Sequence, residues 1–199
     1  MQALAAESSG SAPSVYGDFC YTLIKEAVFL LNDALGRLAD VHGRQTEILD
    51  KEAWAKQPAS LRHERERRLE SVKRTAKGFL DLAKASLSAL LVLTGDPHLC
   101  SQLLSSSSRS VTLAAMIVEF VRRLVGPEMA SLKVEAPEKL GWNPKQMLTD
   151  TTRLLLNTAK CEPSFFATLR ATDNFDAAVL SRAALILSTK CNLPAQEVA

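Results

Sequence analysis

The sequence predicts an all-α protein, an elongated array of antiparallel helix pairs. Three observations carry this expectation. Apolar residues recur at helical spacing along most of the chain, and no segment shows the period-two alternation of a strand. Glycine is scarce, 8 in 199 residues, which suits helices better than a turn-rich sheet. One helical pattern, from Leu61 to about Leu93, spans about 50 Å at 1.5 Å per residue, too long for a compact globule.

Taken in order, Met1 to Ser14 is rich in Ala, Ser and Gly and reads as a disordered tail (1–14), leaving residues 15–199 as the helical core. A first helix is expected from near Ser14 to Val41, with Phe19, Leu23, Leu30, Leu31, Leu35 and Leu38 on one face and Gly43 as its stop. A shorter helix, Arg44 to Lys56, offers Ile48, Ala53 and Trp54 for packing and breaks at Gln57-Pro58. Ser60 is placed to cap the long helix. The first half of that helix is heavily charged, and the second, Gly78 to Leu93, is apolar enough to be buried on a wide face. Gly95-Asp96-Pro97 ends it. His98 to Leu104 makes a turn or two, Ser105 to Ser108 a loop, and Ser110 to Val125 a strongly apolar helix. Pro144 to Thr158, Pro163 to Ala171 and Asp176 to Lys190 complete the set, with prolines suited to first turns. Helix pairs in such an array are armadillo- or HEAT-like, forming a superhelical scaffold, although no fixed-period repeat is visible.

Composition bounds the function. Apolar residues make 47% of the chain and charged residues 23%, and the net charge of +2 names no partner. Cys20, Cys100, Cys161 and Cys191 are far apart, so they form no zinc-ribbon or redox pair and read as reduced core cysteines. His42, His63 and His98 lack ligand spacing, and no phosphate loop, nucleophile elbow or paired-carboxylate motif occurs. No metal, cofactor or catalytic residue is expected. No signal peptide is seen, and no apolar stretch approaches the ~20 residues of a membrane span, so the expected setting is cytoplasm and nucleus without a membrane partner.

The most informative stretch lies between the two apolar helices, at about residues 126–143. Gly126-Pro127, Ala136-Pro137 and Asn143-Pro144 should impose an ordered, non-helical connector, because proline fixes its own φ and restricts the residue before it. Leu132, Val134, Leu140 and Trp142 should hold it down on the domain. A side chain at Gly126 or Gly141 destabilises the fold if either takes a positive φ.

This stretch resembles the core of the ubiquitin chain-elongating factors, the U-box ubiquitin ligases of the ubiquitin-fusion-degradation type. The matching residues are Gly126 and Pro127, Leu132, Lys133 and Val134, Pro137, Glu138 and Lys139, Gly141 and Trp142, and Pro144 with Lys145. Departures are Glu128 in place of a lysine, Ala136 in place of an asparagine, and Leu140 in place of a tyrosine. Phe19 to Leu35, Trp54 and Leu113 to Met116 are similar to further parts of that core. No U-box pattern is present, so the chain reads as the C-terminal part of the core cut before the U-box. The resemblance implies a scaffold for polyubiquitin chain elongation ahead of proteasomal degradation, inactive without a U-box. It implies an AAA segregase ATPase and ubiquitin-pathway shuttle proteins as partners, with the ubiquitin-conjugating enzyme engaged only through the U-box.

Two further features bear on partners. Leu61 to Lys77 carries seven cations against three glutamates, and Arg65, Arg67, Arg68, Lys73 and Arg74 form a basic surface for an acidic partner or nucleic acid. The plainer reading is a solvated helix with pairs such as Glu64–Arg68. No aromatic residues are interleaved for base stacking, which disfavours single-stranded nucleic acid. Trp142 is either a partner anchor or the pin of the connector. Lys133, Glu138 and Lys139 read as exposed residues that orient the loop by hydrogen bonds. The competing readings are a helical-repeat adaptor unrelated to ubiquitin and a basic nucleic-acid-binding helical domain.

Overall fold

The computed structural model describes residues 15–190, and every described element is helical. The tail expected at residues 1–14 and Cys191 lie outside the described residues. The order is α1 (Val15–Leu49), α2 (Lys51–Ala55), α3 (Ala59–Gly95), α4 (Pro97–Leu104), α5 (Ser107–Val125), a 3₁₀ turn (Pro127–Leu132), α6 (Pro137–Leu140), α7 (Pro144–Cys161), α8 (Phe165–Arg170) and α9 (Ala177–Lys190).

Helices α1 and α3 run antiparallel along most of their length. Glu47 near the end of α1 meets Arg65 near the start of α3, and Phe29 meets Phe79 edge-on further along. The apolar stripe of α1 (Ile24, Leu31, Leu35, Leu38) is buried, as is the facing stripe of α3 (Leu80, Leu87, Leu90). A second pair stacks on the first in the same sense. Helix α5 lies along α1, where Arg109 reaches the Gly17 carbonyl and Arg123 reaches Asn32. Helix α7 lies along α3, from the Lys84–Gly141 contact to Asn157–Thr94. Helix α5 buries a broad apolar face (Leu113, Ile117, Phe120, Val121), and α8 and α9 close over it with Phe165, Leu169 and Leu187. Two antiparallel pairs stacked in register are consistent with the expected array.

Several boundaries differ from expectation. Helix α1 passes through Gly43 to Leu49: a helical glycine costs only about 1 kcal/mol, and Gln45 and Ile48 beyond it still pack inward. Asp50 then caps the short α2 through its carboxylate. Ser60 lies inside α3, and Pro58 occupies the capping position without a side-chain bond. Asp96 ends α3 and starts α4, accepting from the His98 and Leu99 amides. The serine run is not a loop, since α5 begins at Ser107 and Arg109 ties the turn to the Leu103 and Gln102 carbonyls. The apolar half of α3 is buried on a narrower face than expected, leaving Leu82 and Val92 exposed. Helix α3 (Ala59–Gly95) is also long and apolar enough to cross a membrane by length and composition, against the expectation that no stretch approaches this. Here it packs between α1 and α7, with 28% of its apolar stretch buried.

Candidate functional site: a clasped connector beside a basic cleft

The connector is ordered, but it is not the non-helical strap expected. Pro127–Leu132 forms a 3₁₀ turn and Pro137–Leu140 one α-helical turn. Each starts on a proline, whose fixed φ suits a first helical position.

Its two glycines are needed for different reasons. Gly141 has φ +69° and ends α6 in the left-handed region, with its amide bonded to the Glu138 carbonyl. A Cβ there would also stand 2.9 Å from Lys84 Nζ. Gly126 has φ −81° and extended backbone, so the positive-φ condition holds for Gly141 and not for it. It is required because a Cβ would lie 2.5 Å from the Arg122 carbonyl oxygen, which accepts the Gly126 amide at the end of α5. Ala136, where the resembled family carries asparagine, takes φ 49° and is the sole non-glycine residue at positive φ among the described residues. Its carbonyl accepts the Lys139 amide at 3.0 Å.

Trp142 is the pin and not an exposed anchor. It is buried, and its indole Nε1–H donates to the Leu132 carbonyl at 3.1 Å, tying the two halves of the connector together. Leu132 and Leu140 are buried with it, and Val134 is half-buried. Asn143 caps α7 by accepting from the Gln146 amide, with Pro144 in the first turn and the exposed Lys145 after it.

Two long helices clasp the loop. The stretch of α1 beyond Val41, which sequence reasoning assigned elsewhere, supplies His42 and Gln45. His42 Nδ1–H donates to the Lys133 carbonyl, and the buried Gln45 Oε1 accepts the Glu135 amide at 2.9 Å. From α3, Lys84 bridges Asp81 (2.9 Å) and the Gly141 carbonyl (3.3 Å), while Lys77 holds the other Asp81 oxygen at 2.6 Å. The hydrogen bonds from Lys77 and then Lys84 hold the Asp81 carboxyl below its usual range. At the entry, Glu128 joins Arg122 at 2.7 Å, and Arg122 also grips Glu119, so the guanidinium's pKa is raised. Glu128, a departure from the resembled family, thus has a local partner. Among the described residues, the side chains of Lys133, Glu138 and Lys139 make none of the loop-orienting bonds expected of them. Backbone atoms, Gln45, His42 and Lys84 do that work.

The basic run is divided. Arg65 pairs with Glu47 across to α1 (3.6 Å), and Lys73 pairs with Glu70 (2.8 Å). The expected Glu64–Arg68 pair is not formed, and Arg67 and Arg68 are exposed. Lys73 and Arg74 instead meet the connector. With Lys77, Gln45, Glu135 and Lys139 they line an open cleft of about 390 Å³ over Leu140. The sequence held Lys139 and Arg74 in separate features, and the fold brings them to one place.

Cys20 and Cys100 are buried, and Cys161 is half-buried. Burial pushes the Cys100 thiol up to about 12, so it carries no thiolate at neutral pH.

Comparison with known proteins gives the family. The model of the ubiquitin elongating factor core matches residues 2–199. The chain is 29% identical over 181 residues to the E4 ubiquitin-protein ligase UFD2 of Saccharomyces cerevisiae, covering 90% of this chain and 18% of that protein. It is 27% identical over 176 residues to ubiquitin conjugation factor E4 of Schizosaccharomyces pombe (88% and 17%), and 26% identical over 157 residues to ubiquitin conjugation factor E4 A of Rattus norvegicus (79% and 14%). The matched stretch is therefore less than a fifth of each of these relatives. With a family model that covers nearly every residue, the chain belongs to the ubiquitin elongating factor core family.

Proposed function

We propose that this chain is a partner-binding scaffold segment of a ubiquitin conjugation factor that elongates polyubiquitin chains on substrates bound for the proteasome. The observation that carries the reading is the family match over residues 2–199, and the buried, hydrogen-bonded connector at 126–143 supports it. In this reading the bond-forming chemistry is aminolysis of a thioester held on the conjugating enzyme. The scaffold contributes proximity and orientation, which need no catalytic side chain of its own. The partners proposed are an AAA segregase ATPase and ubiquitin-pathway shuttle proteins. The conjugating enzyme is reached through a U-box elsewhere in the factor, and the setting is cytoplasm and nucleus.

The test is a reconstituted chain-elongation reaction with activating enzyme, conjugating enzyme, ubiquitin and a mono-ubiquitinated substrate. The 199-residue chain alone should add no ubiquitin, the same chain joined to a U-box should extend the chain, and the U-box alone should extend it less. Elongation by the chain alone, or equal activity with and without it, contradicts the proposal.

A further inference from the structure

We propose that the cleft between α1, α3 and the connector is the docking site for an acidic peptide segment of a partner protein. This narrows the partner-binding reading above to one surface and rests on it.

Four cations line the cleft, Lys73, Arg74 and Lys77 from α3 and Lys139 from α6, against the two carboxylates of Glu70 and Glu135. The cations are not equivalent. Lys73 is occupied by Glu70, and Lys77 by Asp81. Arg74 and Lys139 are exposed, come from different walls, and have no ion-pair partner among the described residues. Two unpaired cations beside an apolar floor at Leu140 suit carboxylates interspersed with an apolar side chain, and the guanidinium fork offers bidentate carboxylate recognition. The walls are preorganised, because Gln45, His42 and Lys84 already hold the connector against both long helices, so a ligand orders little on binding.

The same lining argues against nucleic acid. It contains no aromatic side chain for stacking, and Glu70 and Glu135 interrupt what would need to be a continuous phosphate track.

The test is fluorescence anisotropy with the 199-residue chain and a fluorescein-labelled dodecapeptide of glutamate and leucine. Controls are its glutamine counterpart and a labelled oligothymidylate. The acidic peptide should bind, the glutamine peptide about tenfold more weakly, and affinity should fall with added salt. Arg74→Glu and Lys139→Glu should each weaken the acidic peptide by about tenfold, with Arg74→Gln and Lys139→Gln intermediate. Lys160→Glu, on exposed α7 surface roughly 30 Å along the array, should leave it unchanged. Thermal melts on each variant separate binding from folding.

Equal affinity for the two peptides, no binding of the acidic peptide up to about 1 mM, indifference to both cleft variants, or tighter binding of the oligothymidylate overturns the proposal. Failure here with retained capture of the segregase ATPase would remove the cleft and leave the scaffold reading standing.

Discussion

Replacing Ala136 by glycine should stabilise the protein. At φ 49° and ψ 57° the alanine Cβ crowds the backbone, a conformation that costs a non-glycine residue about 1–2 kcal/mol. Pro137 adds to the strain by favouring extended backbone at the residue before it. Against that stands the extra entropy glycine gives the unfolded chain, about 0.5–1 kcal/mol. Little packing is lost, since Ala136 is only half-buried at the edge of an open cleft. The balance is a gain of about 0.5–1 kcal/mol, or a Tm rise of roughly 1–4 °C for a domain of this size. Ala136→Asn should fall between alanine and glycine, because asparagine tolerates the left-handed region. Ala136→Val should be destabilising. Differential scanning calorimetry and urea titration with unchanged m-value check the order. A Tm for Ala136→Gly below that of the parent would refute the strain argument.

The remaining predictions concern the same loop. Gly126→Ala should destabilise by about 1–3 kcal/mol through the Arg122 carbonyl although its φ is ordinary, while Gly141→Ala should do so through φ, and Gly141→Asn should recover part of the loss; equal responses of the two sites to asparagine in urea melts would contradict the distinction. Trp142→Phe strands the buried Leu132 carbonyl and should cost about 1–3 kcal/mol, read from the denaturation midpoint, and a midpoint equal to the parent's would show that the bond contributes nothing. Gln45→Leu leaves the Glu135 amide without its partner, and that amide should exchange hydrogen faster while α5 amides do not; unchanged exchange would remove Gln45 from the clasp. Because the folded Asp81 carboxyl lies below its ordinary value of 3.8, its contribution is fully present above pH 3.8 and is lost as pH falls through the lower folded value. Asp81→Asn should therefore flatten the acid limb of the stability curve, and identical acid limbs would contradict the Lys77–Asp81–Lys84 arrangement.

The helices were legible because their apolar residues recur at period 3.6 and their breaks carry proline. Pro58, Pro97, Pro127, Pro137 and Pro144 each sit at or beside an element start. A positive φ was legible only as a possibility shared by Gly126 and Gly141, and of the two Gly141 alone takes it. Less could be read where tertiary packing decides. Gly43 looked like a stop, yet α1 continues and brings His42 and Gln45 to the loop, a role no local pattern announces. The connector's prolines were read as helix breakers, whereas as first-turn residues they start a 3₁₀ turn and α6. The pairing of Arg74 with Lys139 in one cleft depends on contacts some 65 residues apart in the chain.

The measurement that bears most directly on the central claim is capture of a purified AAA segregase ATPase by the immobilised 199-residue chain, alongside the full-length factor. The account predicts capture by both. Capture by the full-length factor alone would place the binding surface outside these helices, and capture by neither would contradict the scaffold reading.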